Sequence, residues 1–555
     1  MILQVFTFLI MLLGLWSTAH NATWLMLGIF SKSDGLGYAN DALGLLNGNL
    51  YDYSGKRPLF TGFLAVILAL TGQHLKYTLL IITVITAIAF FFFAHYLSTH
   101  IKPVAIGVLF AMILLYTRRY IGLTFSELPG IALSTLAICF YLISIKSHQK
   151  KYSLLGLFTI FLAFLVRPST VFLIPFLLLW SCLEFNKRIR INWKYLLIGC
   201  LILIILLGLH QALYMILAEQ DSVPFGNFSY VLYGLAKGGV GWRQVYFDFP
   251  EVKTMLNADV YPFILEKAFA SIKEHPSLLL KGILISYRDF FVPGENGVYG
   301  YTGFYWFLII FAMIGSFFLL KNFTKPFNRF LIFALAGILL SVPIAPPIDS
   351  GRMRVYAIAI PFTLLLPSFG ISSLMDLLLR WNPKIAKYFS PHQPGGYSLH
   401  PAFLIVFTAI FAFCMLLAPL LVKAASKPPE MGANPCNPQE FHEVTRINDG
   451  WYVNIKGDET KTFIPNVQYK DFIASIHALS TLKLTLLIED SLPQGSSLIE
   501  TYNILDDQTY FLITPTDAMP DVGNQYHVCG QIEKISYDGI KLVKVREFHP
   551  LEGGD

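Results

Sequence analysis

Runs of about 20 apolar residues recur along this chain, each long enough to cross a hydrocarbon core about 30 Å thick. That one feature leaves few folds open. In lipid every backbone polar group must be satisfied within the structure, and a run of this length does so as a helix. The runs predict spanning helices at roughly 2–19, 75–97, 103–118, 127–146, 152–166, 169–185, 194–217, 301–320, 328–346, 352–376 and 401–423, about eleven in all. Only 14% of the 555 residues are charged, against about a quarter in soluble domains, which excludes an ordinary soluble protein. The run at 59–72 is short and ends in Gly72-Gln73-His74; it reads as an interfacial or re-entrant segment. The run 2–19 lacks a basic n-region, and Ser17–Ala22 is a weak cleavage site. It therefore reads as a retained first helix rather than a signal peptide.

Basic residues set the orientation. With the N-terminus in the cytoplasm, the inside loops hold Lys102; Lys146, Lys150 and Lys151; Lys187, Arg188, Arg190 and Lys194; Lys321, Lys325 and Arg329; and Arg380, Lys384 and Lys387. Each of these loops is basic, as the positive-inside rule requires. The formal charge of +6, spread over loops, fits membrane orientation and not nucleic-acid binding. The outside face then receives the loop 20–58, the segment 218–300 and the tail from 424. Lys56, Arg57, Arg118, Arg119, Arg167, Arg352 and Arg354 also fall outside, where orientation does not need them. Singly, each would reach lipid phosphates; as a set they point to one anionic ligand.

The chain divides into a membrane domain, 1–423, and a soluble extracytoplasmic domain, 424–555. The first outside region, 20–74, carries the polar loop. The second, 218–300, holds a glycine-rich aromatic stretch, Tyr230–Trp242, and helical patterning at 262–274 and 277–291. It is expected to pack as interfacial helices, because a structureless connection of that length is unusual. No Gly-Lys-Ser/Thr follows the glycines, so they form no P-loop; turns and close backbone approach are their expected use. Past Lys423, prolines open a linker and short β-like runs follow at Trp451–Ile455, Leu482–Ile488, Tyr510–Ile513, Tyr526–Ile532 and Ile540–Val545, interrupted by a short helix near Tyr469–Leu479. Strands at this spacing suggest a small sandwich or barrel, an OB-like fold among them. Cys436 and Cys529 lie in this tail and could pair if it is extracytoplasmic. Cys139, Cys182, Cys200 and Cys414 lie in apolar runs, and no His-Cys cluster marks a metal site.

The polar loop Ser31–Leu59 is the first interruption after the apolar N-terminus. Ser33-Asp34-Gly35 precedes a helical pattern from about Leu36 to Leu46, ended by Gly48. Asp34 is then an N-cap, contributing about 1 kcal/mol, or a catalytic acid. Asp41 follows at i+7, on the same face if the helix includes both, or is simply a solvated helix residue. A carboxylate at a membrane surface, facing arginines, suits a reaction in which a lipid phosphate leaves. It would take the acceptor's proton as general base, while arginine and lysine hold the phosphate. Two further acids could serve. Glu127 follows Ser126 at the outer end of its span, where it could equally cap the helix. Asp349 sits in the turn-like sequence Pro346–Arg352, where it could instead make the turn or pair with Arg352.

Asp34-Gly-x-x-Tyr38, an amphipathic helix, Gly48 and then Lys56-Arg57-Pro58-Leu59 resemble the first outside loop of GT-C type membrane glycosyltransferases. The families most similar in this respect are the lipid A aminoarabinose transferases and the polyprenyl- or dolichyl-phosphate-mannose protein mannosyltransferases. Arg167-Pro168 resembles their recurrent Arg-Pro after a span, and Arg354-Val355-Tyr356 through Pro361 their late Arg-x-Tyr helix start. The resemblance covers about residues 1–190 and these later motifs. It implies a GT-C-like fold, Asp34 as the acid near the reacting centre and Lys56 on the donor phosphate. Arg57 stands where the family has the first proline of Lys-Pro-Pro, and no second acidic motif like that of the mannosyltransferases is evident. The protein-acceptor signature is thus missing, so a lipid or glycan acceptor fits equally.

The sequence therefore reads as an integral membrane glycosyltransferase, expected in a bacterial plasma membrane with its site and tail extracytoplasmic. It would move a hexosyl or pentosyl group, with inversion, from a polyprenyl-phosphate donor to a glycan, lipid or protein acceptor. Lys56, Arg57, Arg167, Arg352 and Arg354 would meet the donor phosphate. No cofactor is required; a divalent metal is compatible but not indicated. Two alternatives stand beside this reading: an O-antigen ligase or polymerase using a lipid diphosphate, and a lipid or solute transporter. A transporter would place its ionisable residues near mid-membrane and often repeat its halves, which this chain does not.

Overall fold

The computed structural model describes residues 25–551 apart from 27–29, 32–33, 53–56, 186–188, 220–224, 254, 256, 295, 350–352, 382–398, 427–432, 447–451, 457–458, 462–466, 469–495, 503–508, 519, 521–524 and 536–540. The expected first span 2–19, the helix near 469–479 and the strand 482–488 lie outside the described residues, as do Lys56 and Arg352.

Helices stand at the sites of the other ten apolar runs. The first helix, α1 (Asp34–Leu46), lies in the polar loop, and α2 (Pro58–Leu70) follows it. Then come α3 (Leu75–Leu97), α4 (Pro103–Thr117), α5 (Glu127–Ser147), α6 (Lys150–Val166), α7 (Leu173–Cys182) and α8 (Trp193–Leu217). After the segment 218–300 follow α12 (Tyr305–Lys321), α13 (Pro326–Ser341), α14 (Ile360–Trp381) with a 3-10 lead-in at Arg354–Ala359, α15 (Pro401–Leu416) and α16 (Ala418–Ala425). Among the described residues, four helical segments are long and apolar enough to cross a membrane: Tyr77–Leu97, Glu127–Ser147, Trp193–Leu217 and Arg354–Arg380. The pair α15–α16, bent by 42°, adds a fifth if it is one span. Shorter apolar helices, α2, α4, α7, α12 and α13 among them, fill the rest of the bundle.

The surface of the bundle is apolar in bands. On α8, Leu197, Leu201 and Ile204 are exposed; on α12, Trp306, Ile310 and Met313; on α15, Phe403, Val406 and Ile410. Contiguous apolar surface of this extent is unfavourable in water and fits a lipid surround. Packing within the bundle uses small residues. A Cβ on Gly315 would lie 2.4 Å from the Leu366 carbonyl, and one on Gly370 would lie 2.0 Å from that of Phe311, so α12 and α14 touch backbone to backbone. The 59–72 run forms α2, whose residues from Pro58 to Leu68 are all buried, so it is enclosed by the bundle rather than laid flat on its surface.

The described residues between 225 and 291 are largely helical. Helices α9 (Asn227–Ala236), α10 (Asn257–Glu274) and α11 (Pro276–Phe291) enclose a small core of Tyr233, Val245, Val252, Val260, Tyr261, Ile264 and Ala268. The glycine-rich stretch makes the expected turns: Gly238, Gly239 and Gly241 have φ of 90°, 81° and 89°.

In the tail, eight strands form one sheet: β5 (Phe441–Arg446), β6 (Tyr452–Lys456), β7 (Glu459–Lys461), β8 (Val467–Gln468), β9 (Ser496–Tyr502), β10 (Thr509–Pro515), β11 (Gln525–Ile535) and β12 (Lys541–Pro550). (Strands β1 to β4 are the short pairs Leu25–Met26 with Phe30–Ser31 and Leu183–Phe185 with Ile189–Ile191.) The order is β5-β11-β12-β10-β9-β6-β7-β8, antiparallel except for the β10–β12 pair. Side chains alternate across β10: Leu512 enters the sheet's own core with Val528 and Val543, while Phe511 and Ile513 join the core of the helical bundle. A disulfide joins Cys436 to Cys529, tying the linker to β11.

Candidate active site

Four charged side chains from four separate elements meet at one end of the bundle. Asp34 opens α1, Glu127 opens α5, Arg167 follows the last residue of α6, and Arg354 begins the turn into α14. Arg354 Nη2 lies 2.9 Å from Asp34 Oδ2, and its Nε donates to Glu127 Oε1. Arg167 Nη2 lies 3.1 Å from the same Glu127 oxygen. The result is an alternating ladder, Asp34–Arg354–Glu127–Arg167. Lys146 and Lys150, at the far ends of α5 and α6, lie at the opposite end of these helices.

Each member is held by its surroundings. The Arg354 guanidinium lies 4.1 Å over the Phe125 ring, a cation–π contact that fixes its plane. Thr124 Oγ1 donates to the Gly35 carbonyl at 2.7 Å and joins α1 to the segment before α5. A Cβ on Gly35 would come within 3.0 Å of Phe125 and Thr124, so this approach is open only to glycine or a shifted neighbour. Tyr116 donates to the carbonyl of Met353, the residue before Arg354, at 3.1 Å. Arg167 Nη1 stands 3.5 Å from Ser126 Oγ.

The two acids differ in access. The Glu127 side chain is 0% exposed and that of Asp34 31%, so only Asp34 can reach a molecule arriving from outside. Glu127 is not the helix cap that its place after Ser126 allows: it is the hub that two guanidiniums share. Asp34 opens α1 and is the acidic residue of its first turn. Asp41 lies on the same helix, about 10 Å further along the axis. It is buried, and its charge acts on Tyr51, whose phenol is raised well above its ordinary value chiefly by burial. Its surroundings are thus different from those of the ladder.

Arg57 joins the site from the start of α2. Its Nη1 donates to the Tyr38 hydroxyl, and its guanidinium sits 5.6 Å from the Tyr38 ring centre. It is near enough for its charge to act on Glu127 and Arg167. Burial pushes the Tyr38 phenol up, with Arg57 opposing. The ladder alone is balanced, two carboxylates against two guanidiniums, so Arg57 leaves the described site with one positive charge in excess.

Asp349 is elsewhere. Its Oδ1 accepts the Trp242 backbone N–H at 2.9 Å and so joins the turn at 347–349 to the helical segment 227–291. Burial lifts its carboxyl to about 6, against the opposing hydrogen bond from Trp242. Sequence reasoning gave no role to Phe125, Thr124 or Tyr116. Their sole signal was position, just before an acid or on a neighbouring span. Among the described residues no three His, Cys, Asp or Glu side chains come together as metal ligands.

No protein-family model matches the chain, and no curated protein matches it in sequence. Solved structures of the oligosaccharyltransferase of Archaeoglobus fulgidus align with it. One is the AglB complex with an inhibitory peptide and a dolichol-phosphate, at 13% identity over 78% of this chain and 56% of that one, TM-score 0.39. Another carries a tethered acceptor peptide, at 12% identity over 78% and 55%, TM-score 0.38. The apo form gives 11% identity over 78% and 57%, TM-score 0.38. This chain spans little more than half the length of those proteins. A likeness at this level transfers no residue roles, and the site rests on its own geometry.

Proposed function

We propose that this chain is an integral membrane glycosyltransferase of the GT-C type, taking a sugar from a polyprenyl-phosphate donor with inversion at the anomeric carbon. The observation that carries the reading is the ladder, with one part-exposed carboxylate at its open end and a surplus of positive charge beside it. In this mechanism Asp34 takes the proton of the acceptor hydroxyl or amine as the acceptor atom attacks the anomeric carbon. The bond from that carbon to the phosphate oxygen breaks on the opposite face, and the donor leaves as lipid monophosphate. Arg57, with Lys56 and Arg352, neutralises the charge that grows on the leaving oxygen. Arg354 holds Asp34 in place, and Glu127 holds Arg354 and Arg167 apart at fixed spacing.

The wider organisation follows the same reading. About eleven spans would make up residues 1–423, with the N-terminus cytoplasmic, and the ladder and tail on the opposite side. Residues 424–555 would form an OB-like barrel. Its parallel β10–β12 pair supports that, as does the Thr501 hydroxyl donating to Glu443 at 3.2 Å, which brings β9 back towards β5.

The test uses purified protein and radiolabelled polyprenyl-monophosphate sugars, comparing wild type with Asp34→Asn and Arg57→Ala. Wild type should release lipid monophosphate and label an acceptor. Asp34→Asn should retain donor binding and lose about 100-fold or more in transfer rate. Arg57→Ala should weaken donor binding. A wild type that leaves every donor intact contradicts the reading.

A further inference from the structure

The turn between α6 and α7 holds an unusual set of polar atoms. Arg167 is 3% exposed, Ser169 1% and Thr170 0%. Yet Arg167 Nε, Ser169 Oγ and Thr170 Oγ1 are all buried with no hydrogen-bond partner. Among the described residues no other four-residue stretch carries three such atoms. Buried polar groups left in this state carry a free-energy penalty, and in native proteins they usually point to a missing partner.

Several other buried hydroxyls among the described residues find a partner, although Thr408 Oγ1 is likewise left without one. Thr83, Thr86, Thr117, Thr135 and Ser181 each donate to a carbonyl one turn back in their own helix. Ser134 reaches across to the Ile358 carbonyl. Ser169 and Thr170 have no such carbonyl because they follow Pro168, beyond the end of α6. The turn itself is fixed. The Arg167 N–H donates to the Ala163 carbonyl at 2.9 Å, the Val171 N–H to that of Ser169 at 2.9 Å, and the Leu173 N–H to that of Thr170 at 3.0 Å. Phe172 N–H donates to Ser341 Oγ at 2.9 Å. The unpartnered atoms are therefore held in place rather than free to seek one another.

All three atoms can donate, and one belongs to a guanidinium. The matching partner is an acceptor-rich anion. A phosphate monoester offers three terminal oxygens, and the guanidinium supplies charge as well as hydrogen bonds. We propose that Arg167, Ser169 and Thr170 form a cradle for the phosphate of a membrane-embedded phosphomonoester, with the two hydroxyls as its neutral donors. The proposal rests on the glycosyl-transfer reading for the identity of the ligand, since the ladder shares Arg167 with the cradle. It adds two ligands that this reading did not contain. It also divides the labour: Arg57 meets the phosphate from the α2 side, and the 167–170 turn from the α6–α7 side.

The test is direct binding to the full-length chain in phosphate-free detergent solution, with undecaprenyl phosphate, undecaprenol and inorganic phosphate as probes. The double variant Ser169→Ala/Thr170→Val should bind undecaprenyl phosphate at least tenfold more weakly than wild type and bind undecaprenol equally well. Inorganic phosphate competing at the same site would identify the phosphate alone as the recognised group; failure to compete would identify the lipid ester. Both results fit the cradle. The hydroxyl-retaining variant Ser169→Thr/Thr170→Ser should bind within about twofold of wild type. Removing unsatisfied hydroxyls should leave the melting temperature of the ligand-free protein unchanged or raise it. A fall in that temperature alongside the loss of binding would assign the hydroxyls to folding and overturn the cradle. So would unchanged binding in the double variant, or no binding by wild type. If binding behaves as stated but no sugar is transferred from any donor, the cradle stands and the transfer reading fails.

Discussion

Glu127 carries the heaviest structural load of any single residue at the site. It is fully enclosed, and its Oε1 meets both Arg167 and Arg354. Removing one partner of a buried ion pair leaves charge uncompensated in low dielectric and typically costs 3–5 kcal/mol. Glu127→Ala should therefore lower stability by about that amount, read as a loss of melting temperature in detergent. Adding Arg167→Met should recover part of the loss. Asp34 meets the Arg354 guanidinium but keeps partial exposure, so Asp34→Asn should unfold little and act on turnover. At this scale the sequence was informative about identity and silent about pairing. Asp34 stood out because it lies in the first polar interruption of an apolar chain, and Arg57, Arg167 and Arg354 because the expected topology put them where orientation did not need a basic residue. That Glu127 couples two of them was hidden, because the Glu127–Arg354 contact spans 227 residues and depends on how the spans pack.

Asp349 extends the residue scale to pH. The folded protein keeps its carboxyl protonated up to about pH 6, whereas the unfolded chain releases that proton near 3.8. Between those values the folded state binds more protons, so stability falls as pH rises through the window and levels above it. Asp349→Asn keeps an oxygen to accept the Trp242 N–H and should flatten that part of the melting-temperature profile. A profile identical to wild type between roughly pH 4 and 6 would contradict the assignment.

Elements were legible where periodicity and length were strong. Ten apolar runs became helices because each offers continuous apolar surface and few breakers, and α10 and α11 followed their amphipathic pattern. Strands β5 and β9 were missed: Phe441–Arg446 and Ser496–Tyr502 mix polar with apolar residues, so pairing defines them, β5 with β11 and β9 with β10 and β6. The segment 227–291 holds together through glycine contacts. A Cβ on Gly282 would lie 2.3 Å from the Leu235 carbonyl, and one on Gly234 would lie 2.5 Å from that of Gly241. Gly282→Ala should force α9 and α11 apart at a cost of about 1–3 kcal/mol. Hydrogen exchange should show the loss of protection confined to this segment, with α5 and α6 unchanged.

For the whole molecule, the sheet and the bundle share a core through Phe511, Ile513 and Leu542, while the disulfide Cys436–Cys529 closes a separation of 93 residues. Cross-linking a loop of that size stabilises by about 4.6 kcal/mol in the chain-entropy account. The Cys436→Ser/Cys529→Ser variant should thus expose the tail to limited proteolysis and leave the helical bundle resistant. The number of spans was less legible than the number of helices. Several helices have too few residues to cross alone, and hydropathy does not distinguish a short enclosed helix such as α2 from a crossing one. The central claim is narrower than topology: a carboxylate at the open end of a charge ladder deprotonates an acceptor while a lipid phosphate leaves. Single-turnover release of polyprenyl monophosphate from a labelled donor, in the presence of acceptor, measures it most directly. Release in wild type, with a loss of about 100-fold or more in Asp34→Asn at saturating donor, is the predicted result. Equal rates in the two proteins would contradict it.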